Sequence, residues 1–338
     1  MNEIKLNPPE SNEEVKFEQN LRPANIREFI GQKKKIKNLK TYIKGAKHRK
    51  EVLDHVLFSG PPGLGKTTLA HIIAYEIGVN IKQASGPTLD KKGDLTAILT
   101  GLELNDVLFI DEIHRLKTNL EEILYKAMED FQIDVIIGQG VGAKNISIDI
   151  EPFTLVGATT RTGLLSSPLR DRFGISMHLD FYSKEELEKI LIRSANILNI
   201  KIRKNAAEEI AKRSRGTPRV ANKLLRRVRD FAQVEGEGII DLKICEISFE
   251  AIGVDKKGFD EVDRKILLTI IEKFSGGPVG LSTISNAIQE EKDTIEDVYE
   301  PYLIQQGYLK ITSRGRVVMK KAYEHLNKLF KDKQKPLF

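Results

Sequence analysis

Cysteine is all but missing from this chain, with Cys245 standing alone among 338 residues. A single thiol closes no internal disulfide and has no second cysteine with which to share a zinc site, so its expected role is small apolar filler. Long apolar runs are missing as well, since no stretch approaches the roughly 18 residues that a membrane span requires. Residues 1–18 are polar and rich in Glu, without the basic start and apolar core of a signal peptide, so a cytoplasmic protein is expected. No internal repeat is visible, and only the last eight residues are biased enough in composition to suggest disorder.

What is present is an ordinary globular composition, 40% hydrophobic and 30% charged. Its length suits two or three domains. The net charge of +6 is unevenly spread: residues 310–338 carry nine Lys/Arg against Glu324 and Asp332, which leaves −1 for everything before them. The basic excess therefore reads as a C-terminal feature.

The first third alternates short apolar runs with helical patterns. Residues 55–58, 106–110 and 153–157 read as buried parallel strands, and Lys66–Ile77, closed by Gly78, and residues 120–128 read as helices. The expected fold is α/β, a parallel sheet with flanking helices. From 133 to 150 the period drops to two around Gly138-Gln139-Gly140-Val141-Gly142, which predicts a β-hairpin. That glycine pattern reads as a plain turn, because no helix pattern follows it. After Tyr182 strands are not expected; Ser183-Lys184-Glu185-Glu186 opens a small helical domain with a capping box. A polar stretch at 253–258 leads into a third unit whose order of helix, turn, helix, helix and strand pair is that of a winged helix. The expected division is 1–182, 183–254 and 255–338.

Gly60-Pro61-Pro62-Gly63-Leu64-Gly65-Lys66-Thr67 matches the phosphate-binding pattern G-x-x-x-x-G-K-[ST], with an apolar strand before it and a helix after. Glycines let backbone N–H groups approach phosphate without an intervening Cβ, and the helix N-terminus favours the negative charge. Lys66 supplies a point charge to the β- and γ-phosphates of ATP, Thr67 a hydroxyl for Mg²⁺, and Thr68 contacts nearby. A second apolar strand ends in Asp111 and Glu112: Asp111 is expected to hold Mg²⁺, and Glu112 to orient and deprotonate a water attacking the γ-phosphate. Hydrolysis is therefore expected, not binding alone. His114 lacks a second ligand at metal spacing and reads as structural.

Further motifs carry a resemblance. Gly157-Ala158-Thr159-Thr160-Arg161, the segment Ser167-Pro168-Leu169-Arg170-Asp171-Arg172-Phe173-Gly174, residues 127–131 and Gly216-Thr217-Pro218-Arg219, together with the phosphate loop, resemble the AAA+ ATPases and, among them, the RuvB family of Holliday-junction branch-migration motors, over about residues 22–316. The resemblance implies an AAA+ core, a helical lid and a DNA-touching winged head. It also implies assembly as homohexameric rings on double-stranded DNA, in company with RuvA and the RuvC resolvase. It implies Thr159 or Thr160 as the sensor of the γ-phosphate, Arg219 as a second sensor and Arg172 as an arginine finger entering the neighbouring subunit's site. Leu21, Arg22, Glu129, Asp130, Phe131 and Tyr182 match positions that cradle the base and sugar of the nucleotide, and the hairpin at 133–150 matches the one that docks RuvA. Lys126 and Val141 depart from the proline usual at their positions, which bears on the hairpin and not on the phosphate chemistry.

In the third unit the candidate recognition helix carries Asp293, Glu296, Asp297 and Glu300, which repel phosphate. The neighbouring wing presents Lys310, Arg314, Arg316, Lys320 and Lys321, a pattern suited to phosphate contact without base readout. The family usually has an arginine where Ile311 stands. DNA binding is expected to ignore sequence. A clamp-loader ATPase would share the core motifs without the hairpin and winged head. A nucleotide-gated DNA-binding regulator would leave Glu112 and Arg172 without a task.

Overall fold

A computed structural model describes residues 12–137 and 144–330. The glycine-rich segment 138–142, for which a turn is expected, Val141 within it, and the last eight residues lie outside the described residues. Among the described residues, 21–182 form one compact unit, and 12–20 with 183–330 form the other.

The first unit is built on a five-stranded parallel sheet of β1 (Val56–Ser59), β2 (Ile81–Ser85), β3 (Val107–Asp111), β6 (Thr154–Thr159) and β7 (Ile175–His178), in the order β2-β3-β6-β1-β7. The three central strands are those expected, each displaced by a residue or two toward its C-terminal end. They are apolar runs because both faces are covered: β1 and β6 are buried throughout. The edge strands went unpredicted. In β2 four of five residues are half-buried, and β7 alternates buried and exposed, so neither shows the apolar run that marks a central strand.

Helices α2 (Lys33–Arg49), α3 (Lys66–Ile77), α4 (Lys92–Thr100), α5 (Thr118–Glu129) and α6 (Ser167–Asp171) accompany the sheet, whereas α1 (Asn12–Leu21) belongs, but for its last residue, to the other unit. Helix α3 stops at Gly78, which takes φ 90° and caps the helix by donating its N–H to the Ala74 carbonyl. On one side Leu108, Ile110, Leu120, Leu124, Phe153 and Leu169 share a core. The hairpin pairs β4 (Gln132–Ile137) with β5 (Lys144–Asp149) antiparallel, Ile133 opposite Ile148 and Val135 opposite Ile146. Lys126 forms a salt bridge with Asp134 at 2.6 Å, tying α5 to the hairpin's first strand.

The second unit opens with α7 (Lys184–Ile197), whose capping box is the one read from the sequence: Ser183 Oγ accepts the Glu186 N–H and Glu186 accepts the Ser183 N–H. Helices α8 (Lys204–Arg213), α9 (Pro218–Val234) and α10 (Leu242–Ala251) follow. The expectation of an all-helical segment needs one correction, because β8 (Lys201–Ile202) and β9 (Ile239–Ile240) pair in parallel. Two residues per strand are too few to leave a periodic signal.

The winged fold comprises α11 (Glu261–Lys273), α12 (Leu281–Ile288), α13 (Lys292–Thr294), a π-turn at Ile295–Tyr299, α14 (Glu300–Gln305), β10 (Leu309–Thr312), β11 (Gly315–Val318) and α15 (Lys320–His325). The recognition helix is thus interrupted by a widened turn, with Pro301 just after it. Phe259, Ile266, Ile270, Ile284, Tyr299 and Leu303 fill its core.

Candidate functional site

The C-terminal edge of the parallel sheet gathers most of the predicted nucleotide residues. Ser59, Thr159 and His178 are register partners at the ends of β1, β6 and β7, and Asp111 ends β3 on the other side of β6. The phosphate loop leaves β1 at this edge. Gly60, Gly63 and Gly65 take φ of 130°, 77° and 98°, a region open to glycine and strained for other residues. At Gly60 a Cβ would lie 2.6 Å from the Leu179 carbonyl oxygen, so packing as well as φ demands glycine. Lys66 is buried, and its ammonium donates to the carbonyls of Gly60 at 2.7 Å and Pro61 at 2.8 Å. Thr67 is half-buried beside it at the start of α3, and Thr68 is buried.

Asp111 lies in the electrostatic reach of Lys66 and Arg22. Burial pushes its carboxyl above the ordinary range, while the Glu112 N–H, Lys66 and Arg22 draw it back. The next residue, Glu112, adopts a left-handed backbone at φ 47° and holds Arg115 in an exposed ion pair at 3.2 Å. Its carbonyl is packed so closely that a Cβ on Gly86 would meet it at 2.4 Å.

Thr159 and Thr160 separate clearly. The Thr159 hydroxyl is 3.0 Å from His114 Nδ1 and accepts the Arg161 N–H at 3.0 Å. Buried Thr160 Oγ1 has no hydrogen-bond partner among the described residues, which leaves it as the hydroxyl able to take a new acceptor or donor. His114, read from the sequence as structural, therefore belongs to the site by contact. Nothing in its own spacing signals this, because its partner comes from another strand.

Tyr182 is buried and donates its hydroxyl to the Leu64 carbonyl at 3.1 Å, so it lies against the phosphate loop. A Cβ on Gly31 would fall 2.4 Å from the Tyr182 ring, and one on Gly65 would fall 3.4 Å from Phe29. Phe29, Gly31 and Tyr182 thus form a wall beside the loop, of which only Tyr182 was legible in the sequence. Leu21 is buried at the start of the unit, and the charge of Arg22 reaches His71 on α3, whose pKa is lowered by burial and by that arginine.

Glu129, Asp130 and Phe131 are at the other edge of the sheet, away from the phosphate loop of their own chain. Helix α5 runs back to the N-terminal edge of the sheet. The Met128 carbonyl meets His55, just ahead of β1, at 3.1 Å, and Phe131 packs edge-on against Phe153, just ahead of β6, at 6.2 Å. Arg172 is at this same edge, just ahead of β7. Its guanidinium reaches Glu129 at 2.7 Å and the Pro168 carbonyl at 2.9 Å and lies 4.8 Å from the centre of the Tyr125 ring. Arg172 and Glu129 thus form a second, ion-paired site at this edge, with Asp130 and Phe131 next to Glu129 in the chain. Arg219 is in the other unit, in the first turn of α9, where it pairs with Glu18 at 3.2 Å.

On the winged unit Lys310 and Arg314 are exposed, with no ion pair among the described residues. The other three basic residues read as one set with them need correcting. The Arg316 guanidinium is held by Glu300 at 2.7 Å, with Glu296 3.4 Å away, so its charge is spent on the recognition helix's own acids. Lys320 and Lys321 lie on α15 beyond the strand pair; Lys321 donates to the Gln306 carbonyl at 2.6 Å, and Lys320 is 3.8 Å from Glu324.

The fit to known proteins covers nearly the whole chain. Residues 21–179 match the family described as the Holliday junction DNA helicase RuvB P-loop domain, residues 182–255 the RuvB AAA lid domain and residues 256–327 the RuvB C-terminal winged helix domain. A Holliday junction branch migration complex subunit RuvB from Parabacteroides distasonis is 60% identical over 315 residues, 93% of this chain and 92% of the relative. Its counterpart from Clostridium kluyveri is 58% identical, over 93% of this chain and 90% of that one. The solved structure of the Thermotoga maritima RuvB Holliday junction branch migration motor superposes with a TM-score of 0.86 at 55% identity, covering 93% of this chain and all of that one.

Proposed function

This chain belongs to the RuvB family of Holliday-junction branch-migration motors, and from that premise we propose that it works as a homohexameric ring that hydrolyses ATP and draws duplex DNA past RuvA. RuvC shares the complex in this reading. The proposal divides the chain into an ATPase core to Tyr182, a lid to Val254 and a DNA-binding head from Asp255.

The observation that carries it is the convergence of Lys66, Asp111 and Thr159 with its neighbour Thr160 at one edge of three adjacent strands. Lys66 leaves its two carbonyls for the β- and γ-phosphates, and the loop's N–H groups take the remaining oxygens. Thr160 senses the γ-phosphate with its unengaged hydroxyl, while His114 fixes Thr159 beside it. Glu112 orients the attacking water and accepts its proton. Gly63, Gly65 and Thr68 shape the loop, and Leu21, Arg22 and Tyr182 hold the base and sugar.

Mg²⁺ fits the donor set. Thr67 and Asp111 offer oxygen ligands only, and no three His, Cys, Asp or Glu converge among the described residues. Such an ion is held by one or two protein oxygens together with phosphate, as is usual for this cation. When bound, it draws negative charge from the β- and γ-phosphates.

Arg172, with Glu129, Asp130 and Phe131, serves the nucleotide of the neighbouring subunit, because its own phosphate loop is at the opposite edge. Arg219 senses nucleotide from the lid. Lys310 and Arg314 contact phosphates of DNA without reading bases.

The test is ATP turnover with and without duplex DNA of arbitrary sequence, for the wild type, Glu112→Gln, Arg172→Ala and a mixture of the two variants. Each variant alone should bind ATP and lose turnover. The mixture should recover part of it, because a Glu112-bearing site can meet an intact Arg172 from its neighbour. No recovery in mixed rings would refute the trans assignment, and turnover of the wild type indifferent to DNA and RuvA would refute the motor.

A further inference from the structure

Helix α2 is the most one-sided charge feature of the molecule. Residues 33–50 contain nine Lys/Arg and no Asp or Glu, although the whole chain up to residue 309 sums to −1. The apolar side of α2 is already occupied, with Leu39, Ile43 and Ala46 buried. Lys33, Lys37, Lys40 and Lys44 are exposed and follow one another at spacings of four, three and four residues, which places them in one stripe along the helix. At about 1.5 Å of rise per residue the stripe is roughly 16 Å long. Lys34 is exposed beside its first turn.

Other cations of this helix are engaged: Lys35 pairs with Asp180, Lys47 donates to the Glu76 carbonyl at 2.8 Å, and Arg49 pairs with Glu51 at 2.5 Å. The stripe lysines have no ion pair among the described residues. Their arrangement also opposes what would stabilise an isolated helix. Lys33 and Lys37, and Lys40 and Lys44, are like charges four residues apart, and Lys33, Lys34 and Lys35 crowd the N-terminal end, where the helix dipole favours acids. A solvated helix gains nothing from this pattern. A partner carrying closely spaced negative charge relieves every one of these repulsions.

We propose that the α2 stripe is a second DNA-contacting surface, on the ATPase unit and separate from the winged head, that takes the sugar-phosphate backbone of duplex DNA. The charge spacing fits: one strand of a duplex presents a phosphate about every 3.4 Å of axis, so roughly five phosphates span the stripe. The chemistry excludes base readout, because lysine stems offer point charges and no planar fork. Tyr42 is on the far side of the helix from the stripe, so no aromatic is placed to stack on single-stranded bases. The buried state of Leu39, Ile43 and Ala46 leaves no apolar face to enter a membrane. The choice of DNA as the polyanion rests on the motor reading above; the stripe itself does not.

The test uses the full chain with Lys33→Gln, Lys37→Gln, Lys40→Gln and Lys44→Gln combined, beside a wing variant with Lys310→Gln and Arg314→Gln. Binding to a duplex of arbitrary sequence is followed across a salt series. Each lost phosphate contact lowers the slope of log K against log salt by about 0.9, so the stripe variant should lose about 3 to 4 from the slope. Its affinity at low salt should fall at least about tenfold, while ATP turnover without DNA stays within about twofold. Removing like-charge contacts should leave its thermal midpoint unchanged or higher, so loss of binding is not loss of fold.

A slope equal to wild type in the stripe variant, with the wing variant impaired, overturns this inference and leaves the motor reading standing. No duplex binding by the wild type overturns both. Stripe-dependent binding to vesicles containing phosphatidylserine, with an unchanged duplex slope, assigns the stripe to a membrane and also overturns it.

Discussion

Replacing Arg215 by methionine should cost far more stability than breaking an exposed ion pair of this chain. Arg215 precedes Gly216 with a left-handed backbone at φ 53°, and its side chain is 4% exposed. Its Nε donates to the Gly258 carbonyl at 2.7 Å and one terminal nitrogen to Asp263 at 3.3 Å. The other terminal nitrogen pairs with the second Asp263 oxygen and is 3.4 Å from Asp260. Both carboxylates are as buried as the arginine. One cation therefore holds two carboxylates out of water, and Arg215→Met leaves them facing each other without it.

Breaking a buried pair in this way costs about 3–5 kcal/mol, against about 0–1 kcal/mol for an exposed pair such as Lys320 with Glu324. For a unit of this size each kcal/mol moves the midpoint by roughly 2–4 °C, so its thermal transition should fall by on the order of 10 °C. The loss should also depend on pH. Burial already drives the Asp263 carboxyl well above its ordinary range, Asp260 adds to this and Arg215 opposes it. Without Arg215 the folded state holds that proton more tightly than the unfolded chain does. The stabilisation from protonation is then complete below the ordinary carboxylate pKa of about 3.9 and fades as pH rises through the raised value. Scanning calorimetry of the full-length variant should show the deficit largest near pH 8 and shrinking toward pH 5. A shift under about 3 °C at neutral pH, or a deficit that does not shrink in acid, refutes the argument.

Two further outcomes follow from histidines. His55 accepts the Leu155 N–H on Nδ1 at 2.9 Å, which puts its proton on Nε2 facing the Met128 carbonyl, and burial lowers its pKa. The unfolded chain takes up the proton first, so stability present above about pH 6.5 is lost as pH falls through the depressed value; His55→Gln should flatten that acid limb in a pH series of thermal midpoints, and an unchanged limb would sink the idea. His114→Ala should lower kcat for ATP by about tenfold, the worth of one positioning hydrogen bond of roughly 1.4 kcal/mol, with KM within about threefold and partial recovery in His114→Asn. Equal kcat in all three proteins would remove His114 from the mechanism.

Much of this was legible in residue order because the chemistry is local. The phosphate loop, the helix it opens and the acidic strand end are contiguous, and backbone N–H groups can cradle phosphate only where glycines permit it. The buried central strands and the Ser183 capping box were legible for the same reason, each being a pattern a few residues long. The edge strands were not, since a strand covered on one side only, such as Ile175–His178, carries a weaker pattern than its buried neighbours. Averaging hid the α2 stripe, because nine basic residues disappear into a segment whose total is near zero.

Sequence by itself determined the fold class and the identity of the nucleotide site, since short-range spacing dictates both. Tertiary structure decided which residues share a surface. It sent Glu129, Asp130 and Phe131 to the edge of the sheet opposite the phosphate loop, because a helix leaving the C-terminal end of β3 has to run back before the chain can enter the hairpin. It joined His114 to Thr159 across two strands and left the Thr160 hydroxyl unengaged. It also cancelled Arg316 against Glu300, a residue sixteen positions earlier, through a pair at 2.7 Å. A side chain's charge belongs to its sequence, but whether that charge is free depends on what the fold brings within a few ångströms of it.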